Sequence, residues 1–140
     1  MSIELGSGQL MSTAPPTAFF ARWADHATWP EWDPDTLWAR MDGPLRQGAT
    51  GRIKPRGGPA VRFTVSVYDP PTEYTDVATL LGARLTFRHT ATVTEDGKTV
   101  VTARASLAGP LSRLWATVMG RGFRDAVPTA LARLVEVVEQ

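Results

Sequence analysis

The sequence predicts an α+β domain: a curved antiparallel sheet of seven strands around one long C-terminal helix, with two short helices between strands 1 and 2. Three observations carry this prediction. From Pro110 to Gln140, apolar residues recur at helical spacing, with Pro110 just inside the start, where its missing N–H costs nothing. Before that, short runs of β-type residues alternate with turns rich in Gly, Pro and Asp. Asp96-Gly97 is the strongest hairpin signal in the chain. A helix this apolar on one face needs a broad surface to cover it, and sequential strands with short connections supply that surface as a meander.

Taken in order, residues 2–13 read as a first strand, weakened by Gly6 and Gly8. Pro15 and Pro16 open a short helix through Ala24, with Phe19, Phe20 and Trp23 inward, and Asp25 and His26 end it. A second helical turn from Ala27 to Pro34 puts Trp29 and Trp32, three residues apart, on one side. Strands are expected at 35–41, holding Trp38, at 50–55, and at 60–68, where Phe63 and Val65 share one face and Tyr68 takes the other. Further strands are expected at 73–80, 84–95 and 98–108.

The final helix reads as two halves. Its stripe from Leu111 to Ala126, including Leu114 and Val118, keeps one direction, and the stripe from Val127 to Val138 lies about a quarter turn away. Pro128 stands at the change and predicts a kink. The second half is expected to anchor the sheet. The first, with Trp115, Met119 and Phe123 beside Gly120 and Gly122, is expected to wall a cavity, so that enlarging Gly122 to leucine would block it. Aromatic and methionine stripes at this spacing are also ordinary packing.

Composition narrows the function. The length of 140 residues suits a single domain with a real core. A net charge of +1, with acids and bases interspersed, makes no electrostatic case for nucleic acid. The chain has no cysteine and only two histidines, His26 and His89, so no metal site is expected. No apolar run reaches the roughly 18 residues that span a membrane, and no secretory signal is visible; a cytoplasmic protein is the expectation. Nothing in the composition decides the oligomeric state.

The pattern resembles a known superfamily. Its carriers are Ala14-Pro15-Pro16, Trp29-x-x-Trp32-Asp33-Pro34, Gly48-x-x-Gly51, Asp69-Pro70-Pro71, Gly109-Pro110-Leu111 and the last helix itself. Together they are similar to the START-like, or Bet v 1-like, helix-grip proteins (SRPBCC), in particular the bacterial polyketide cyclase/dehydrase and lipid-transport group. Each carrier is a turn, cap or packing element, so the resemblance speaks to fold more than to chemistry. It implies a cavity between sheet and helix for a hydrophobic or polycyclic small molecule, without a cofactor. Members include cyclases, carriers and receptors.

Candidate site residues follow from strand faces. His89 shares the apolar face of strand 6 with Leu85 and Phe87 and is expected to point inward, as a proton shuttle or as a satisfied core residue. Strand 5 has two open registers. One turns Tyr74 and Asp76 inward, setting Tyr74 opposite His89 and Asp76 within reach of the imidazole, whose pKa it would raise. The other turns Thr75 and Val77 inward. Phe63, Phe87, Trp115, Met119 and Phe123 are the expected ligand contacts, with Trp29, Trp32 and Trp38 at the cavity mouth. Two functions stay open: a carrier or binding protein for a hydrophobic small molecule, and a cyclase/dehydratase-type enzyme using His89, with Tyr74 and Asp76, for proton transfer. A third, an interaction module, is disfavoured by outer strand faces that hold mostly Thr, Ser and Arg.

Overall fold

A computed structural model describes residues 2–140. The elements run β1 (Ser2–Ser12), α1 (Pro16–Ala24), a 3₁₀ turn (His26–Glu31), β2 (Thr36–Met41), β3 (Thr50–Pro55), β4 (Val61–Asp69), β5 (Glu73–Leu80), β6 (Ala83–Val93), β7 (Thr99–Ala108) and α2 (Ser112–Glu139). All seven strands form one sheet in the order β1-β7-β6-β5-β4-β3-β2, antiparallel throughout. The fold is the helix-grip arrangement expected from the sequence. None of its described helices is long and apolar enough to cross a membrane.

The concave face is covered in two parts. α2 lies mainly on β1 and β7, while α1 and the 3₁₀ turn cover β6, β5 and β2. The reason for the first placement is side-chain size. Cross-strand pairing sets Gly6 beside Ala105 and Gly8 beside Ala103, a strip with almost no side chains. A Cβ on Gly6 would lie 2.4 Å from the carbonyl oxygen of Phe123, and one on Gly8 would lie 3.1 Å from Leu131 Cδ2. Glycines that weaken β1 by propensity are thus where the helix seats.

α2 runs as one helix through Pro128, which is exposed. Its inward residues are Ser112, Trp115, Met119 and Phe123, then Val127, Leu131 and Leu134; at about 100° per residue the second group is centred about a quarter turn from the first, as expected. Leu111, Leu114 and Val118, expected on the first stripe, face solvent instead. Gly122 likewise faces outward, with nothing within 4 Å of where a Cβ would stand, so leucine there would block nothing.

Long-range polar ties fix the ends. Ser12 Oγ donates to Glu139 Oε2 at 2.6 Å, and Arg133 Nε donates to the Glu31 carbonyl at 2.9 Å, joining α2 to the 3₁₀ turn. At the other end Trp115 Nε1 donates to the Leu81 carbonyl at 2.8 Å. A register shift between Val65 and Val67 corrects the face of Tyr68. The extra residue turns it inward, opposite Tyr74 and edge-on to Phe20 at 5.4 Å.

Candidate functional site

Pairing across β4–β7 places two polar rows on the concave face. One row reads Ala103, His89, Tyr74, Tyr68; the next reads Ala105, Phe87, Asp76, Val65. Strand 5 therefore turns Tyr74 and Asp76 inward, with Tyr74 directly opposite His89. Both are almost fully buried, Asp76 with 3% of its surface exposed.

The contacts differ from the expected triad. His89 Nδ1 meets the backbone carbonyl of Tyr74 at 3.1 Å, so that nitrogen carries the proton and Nε2 is the free acceptor. Burial lowers the His89 pKa to about 4, where an adjacent carboxylate was expected to raise it. The carboxylate bears its own burden: burial raises Asp76 to about 7, only partly offset by a hydrogen bond from the Tyr74 hydroxyl. The imidazole joined to this pair is His26, whose Nε2 lies 2.7 Å from the Tyr74 oxygen. Burial lowers His26 to about 4 as well, so it is neutral at pH 7.

The proton order follows from donor and acceptor capacity. With an ionised Asp76, Tyr74 donates to the carboxylate and His26 Nε2–H donates to Tyr74, whereas an Nδ1–H turned to the Ala24 carbonyl leaves Nε2 to accept from Tyr74. A protonated Asp76 allows the chain to reverse. Burial, and then the negative charge of Asp76, push the Tyr74 pKa up, so the phenol stays neutral. His26, Tyr74 and Asp76 form a buried polar chain, a candidate proton relay, with its titrating end at Asp76.

Sequence reasoning missed His26 because it read that residue as the end of α1. Its position three residues before Trp29, in a turn already read as helical, was the available signal. In the structure His26 stacks on Trp29 at 4.5 Å and on Phe63 at 5.7 Å.

This stacking corrects the expected cavity. Phe63, Trp29 and Trp32 pack with His26 and His89 under the 3₁₀ turn and leave no open wall facing α2. Trp38 is on the opposite, convex face: it pairs with Lys54, and the Arg40 guanidinium lies 4.4 Å from its ring. The register shift between Thr36 and Trp38 put its face beyond reach of simple alternation. Phe87 does meet Phe123, at 5.7 Å, and with Trp115 and Met119 these side chains are half-buried along a seam between α2 and β6. Phe87 is paired with Asp76, so the floor of that seam adjoins the relay. Trp23 Nε1 and Trp32 Nε1, around His89, are buried donors without partners. With His26 Nδ1 they make three such atoms, within what native cores carry in a chain of this size; here they gather in one aromatic cluster.

Tyr74→Phe tests the relay. It is expected to cost about 1–3 kcal/mol, because it strands a buried donor and a buried carboxylate. It should also raise the Asp76 pKa further by removing the hydrogen bond that lowers it. Urea denaturation and carbon-detected NMR titration of Asp76 measure the two effects. An unchanged Asp76 titration would show that Tyr74 does not serve it.

A family profile described as "Polyketide cyclase / dehydrase and lipid transport" matches residues 8–139. The fold is similar to norcoclaurine synthase from Thalictrum flavum, at 10% identity and a TM-score of 0.74 over 99% of this chain and 95% of that one. It is similar also to the Zhui aromatase/cyclase from a Streptomyces species, at 11% identity and a TM-score of 0.71 over 99% and 94%. Ara h 8.0201 matches at 12% identity and a TM-score of 0.67 over 99% and 97%. At such identities the likeness is one of fold. No curated protein matches by sequence.

Proposed function

Because the chain belongs to the polyketide cyclase/dehydrase and lipid transport family, we propose that it binds a hydrophobic, ring-containing small molecule along the seam between α2 and β6. The observation that carries this reading is the half-buried apolar line of Trp115, Met119 and Phe123 over Phe87, whose cross-strand neighbour is the buried Asp76. The apolar line suits the body of such a ligand, and the Asp76 carboxyl suits one oxygen or nitrogen on it. The uncharged fluorophore N-phenylnaphthylamine provides the test. Saturable, blue-shifted binding is expected in the wild type. Phe123→Trp, which narrows the seam, is expected to weaken it about tenfold, or roughly 1.4 kcal/mol. Gly122→Leu, which faces outward, is expected to bind like wild type. Absence of saturable binding to the wild type would overturn the proposal.

A second reading rests on the relay itself. A buried carboxylic acid titrating near 7 beside an apolar floor is poised to take and return a proton at neutral pH. This favours a cyclase- or dehydratase-type reaction, in which Asp76 moves a proton on a bound carbonyl compound and the seam holds that compound in a reactive conformation. In this reading Asp76 replaces His89 as the acid/base group, because burial lowers the His89 imidazole to about 4, far from neutral pH.

A further inference from the structure

The convex face of the sheet carries two sets of arginines placed directly opposite one another across strands, an arrangement that is unfavourable unless neutralised. The first is Arg88 beside Arg104. Each has its own acid there: Glu73 lies 3.2 Å from Arg88, and Glu4 lies 3.0 Å from Arg104. The second is a ladder of three, Arg40 beside Arg52 beside Arg62, across β2, β3 and β4. Only Arg62 has an acid, Asp42 at 3.6 Å. Among the described residues Arg40 and Arg52 have no ion-pair partner, though all three side chains are exposed.

Two further features separate this ladder from an ordinary solvated face. The Arg40 guanidinium is held over the Trp38 ring at 4.4 Å, which limits its freedom and orients its fork. Trp38, Arg40, Met41, Asp42 and Arg52 together line a surface hollow of ≈ 200 Å³. The hollow and the two unneutralised guanidinium groups therefore coincide.

We propose that this hollow is an anion site for a ligand carrying two adjacent phosphoryl groups, separate from the seam on the other side of the sheet. Strands spaced by about 4.8 Å bring neighbouring guanidinium forks close enough to share such a group. Planar forks suit phosphoryl oxygens better than point charges do, and the ladder contains arginine only. Asp42 bounds the site by pairing with Arg62, and it opposes anions on that side. A single phosphate offers the two unpaired forks fewer acceptor oxygens and less charge than two adjacent phosphoryl groups do.

Calorimetric titration with inorganic pyrophosphate and with inorganic phosphate, at low and at high salt, tests the assignment. Pyrophosphate is expected to bind more tightly than phosphate, and high salt is expected to weaken it. Arg52→Gln and Arg40→Gln are each expected to reduce pyrophosphate affinity about tenfold or more, as for losing a charge-assisted hydrogen bond. Arg104→Gln, on the same face but paired with Glu4, is expected to leave it unchanged. All three positions are exposed, and thermal melts confirm folding of each variant. Equal affinity for phosphate and pyrophosphate, no binding of either, or full binding by Arg52→Gln would each overturn the proposal. Fluorophore binding at the seam is measured separately and is expected to be indifferent to these variants.

Discussion

Asp76→Asn is expected to stabilise the protein by about 2–4 kcal/mol at pH 8 and by little at pH 4. The native carboxyl titrates at about 7, while in the unfolded chain it titrates near 3.9. Between these values the native state holds a proton that the unfolded state has released, so wild-type stability falls as pH rises through that window. At about 1.36 kcal/mol per pKa unit, the accumulated loss reaches the stated size above pH 7. Asparagine has no proton to lose, so the variant escapes the loss. His26 and His89 act in the opposite direction. Their native pKa values of about 4 lie below the unfolded 6.5, so stability rises with pH between those values and is lost below them. Both terms are common to wild type and variant and cancel in the difference.

The same substitution separates two roles for Asp76. A core acid retained for packing alone loses nothing useful when it becomes asparagine. A group kept for proton transfer should lose that transfer while the protein gains stability. Deuterium exchange at carbon next to the carbonyl of a bound β-tetralone, followed by proton NMR, is the readout. Exchange that is faster than in buffer and lost in Asp76→Asn supports the enzymatic reading. Exchange that persists in the variant removes Asp76 from the chemistry, whatever happens to stability. A variant no more stable than wild type at pH 8 would show that the buried carboxylate is not strained in the native state.

The fold was legible in the sequence because its main signals are periodic. The alternation in β6 and β7 and the helical spacing after Pro110 are local patterns that burial imposes directly. The tight turn between β5 and β6 likewise tied Tyr74 to a position opposite His89, once the inward face of β5 was known. What stayed hidden depends on irregularity or distance. Register shifts near Ser66 and Leu37 reverse the faces of Tyr68 and Trp38, and no period-two reading survives an extra residue. His26 and Tyr74 are 48 positions apart, and His26 lies in a 3₁₀ turn whose direction only the packed core defines. The histidine that was singled out, His89, meets the Tyr74 backbone carbonyl; the one passed over, His26, meets the Tyr74 hydroxyl.

Gly6 and Gly8 show how an apparent weakness in a strand can be a packing requirement, and Gly6→Ala should expose it. Neither glycine has a positive φ, so alanine is acceptable to the backbone at both positions. On conformational grounds alone, alanine would stabilise by about 0.4–1 kcal/mol through the unfolded chain. Contact decides otherwise at Gly6. The new methyl would sit 2.4 Å from the Phe123 carbonyl oxygen, a backbone atom in the middle of α2 that cannot rotate away. The helix must lift or β1 must bend, and a loss of about 3 kcal/mol is expected from such overpacking. At Gly8 the nearest atom, at 3.1 Å, is the end of the Leu131 side chain, which can shift, so Gly8→Ala should cost less than about 1 kcal/mol. Urea midpoints for the two variants give the comparison. The seam adds a second readout, because lifting α2 at Phe123 moves that ring away from Phe87. Gly6→Ala is therefore expected to change fluorophore affinity even where enough native protein remains to bind it, while Gly8→Ala leaves it nearly intact. Equal stability of both variants with wild type would mean that α2 does not rest on β1 at the distance described.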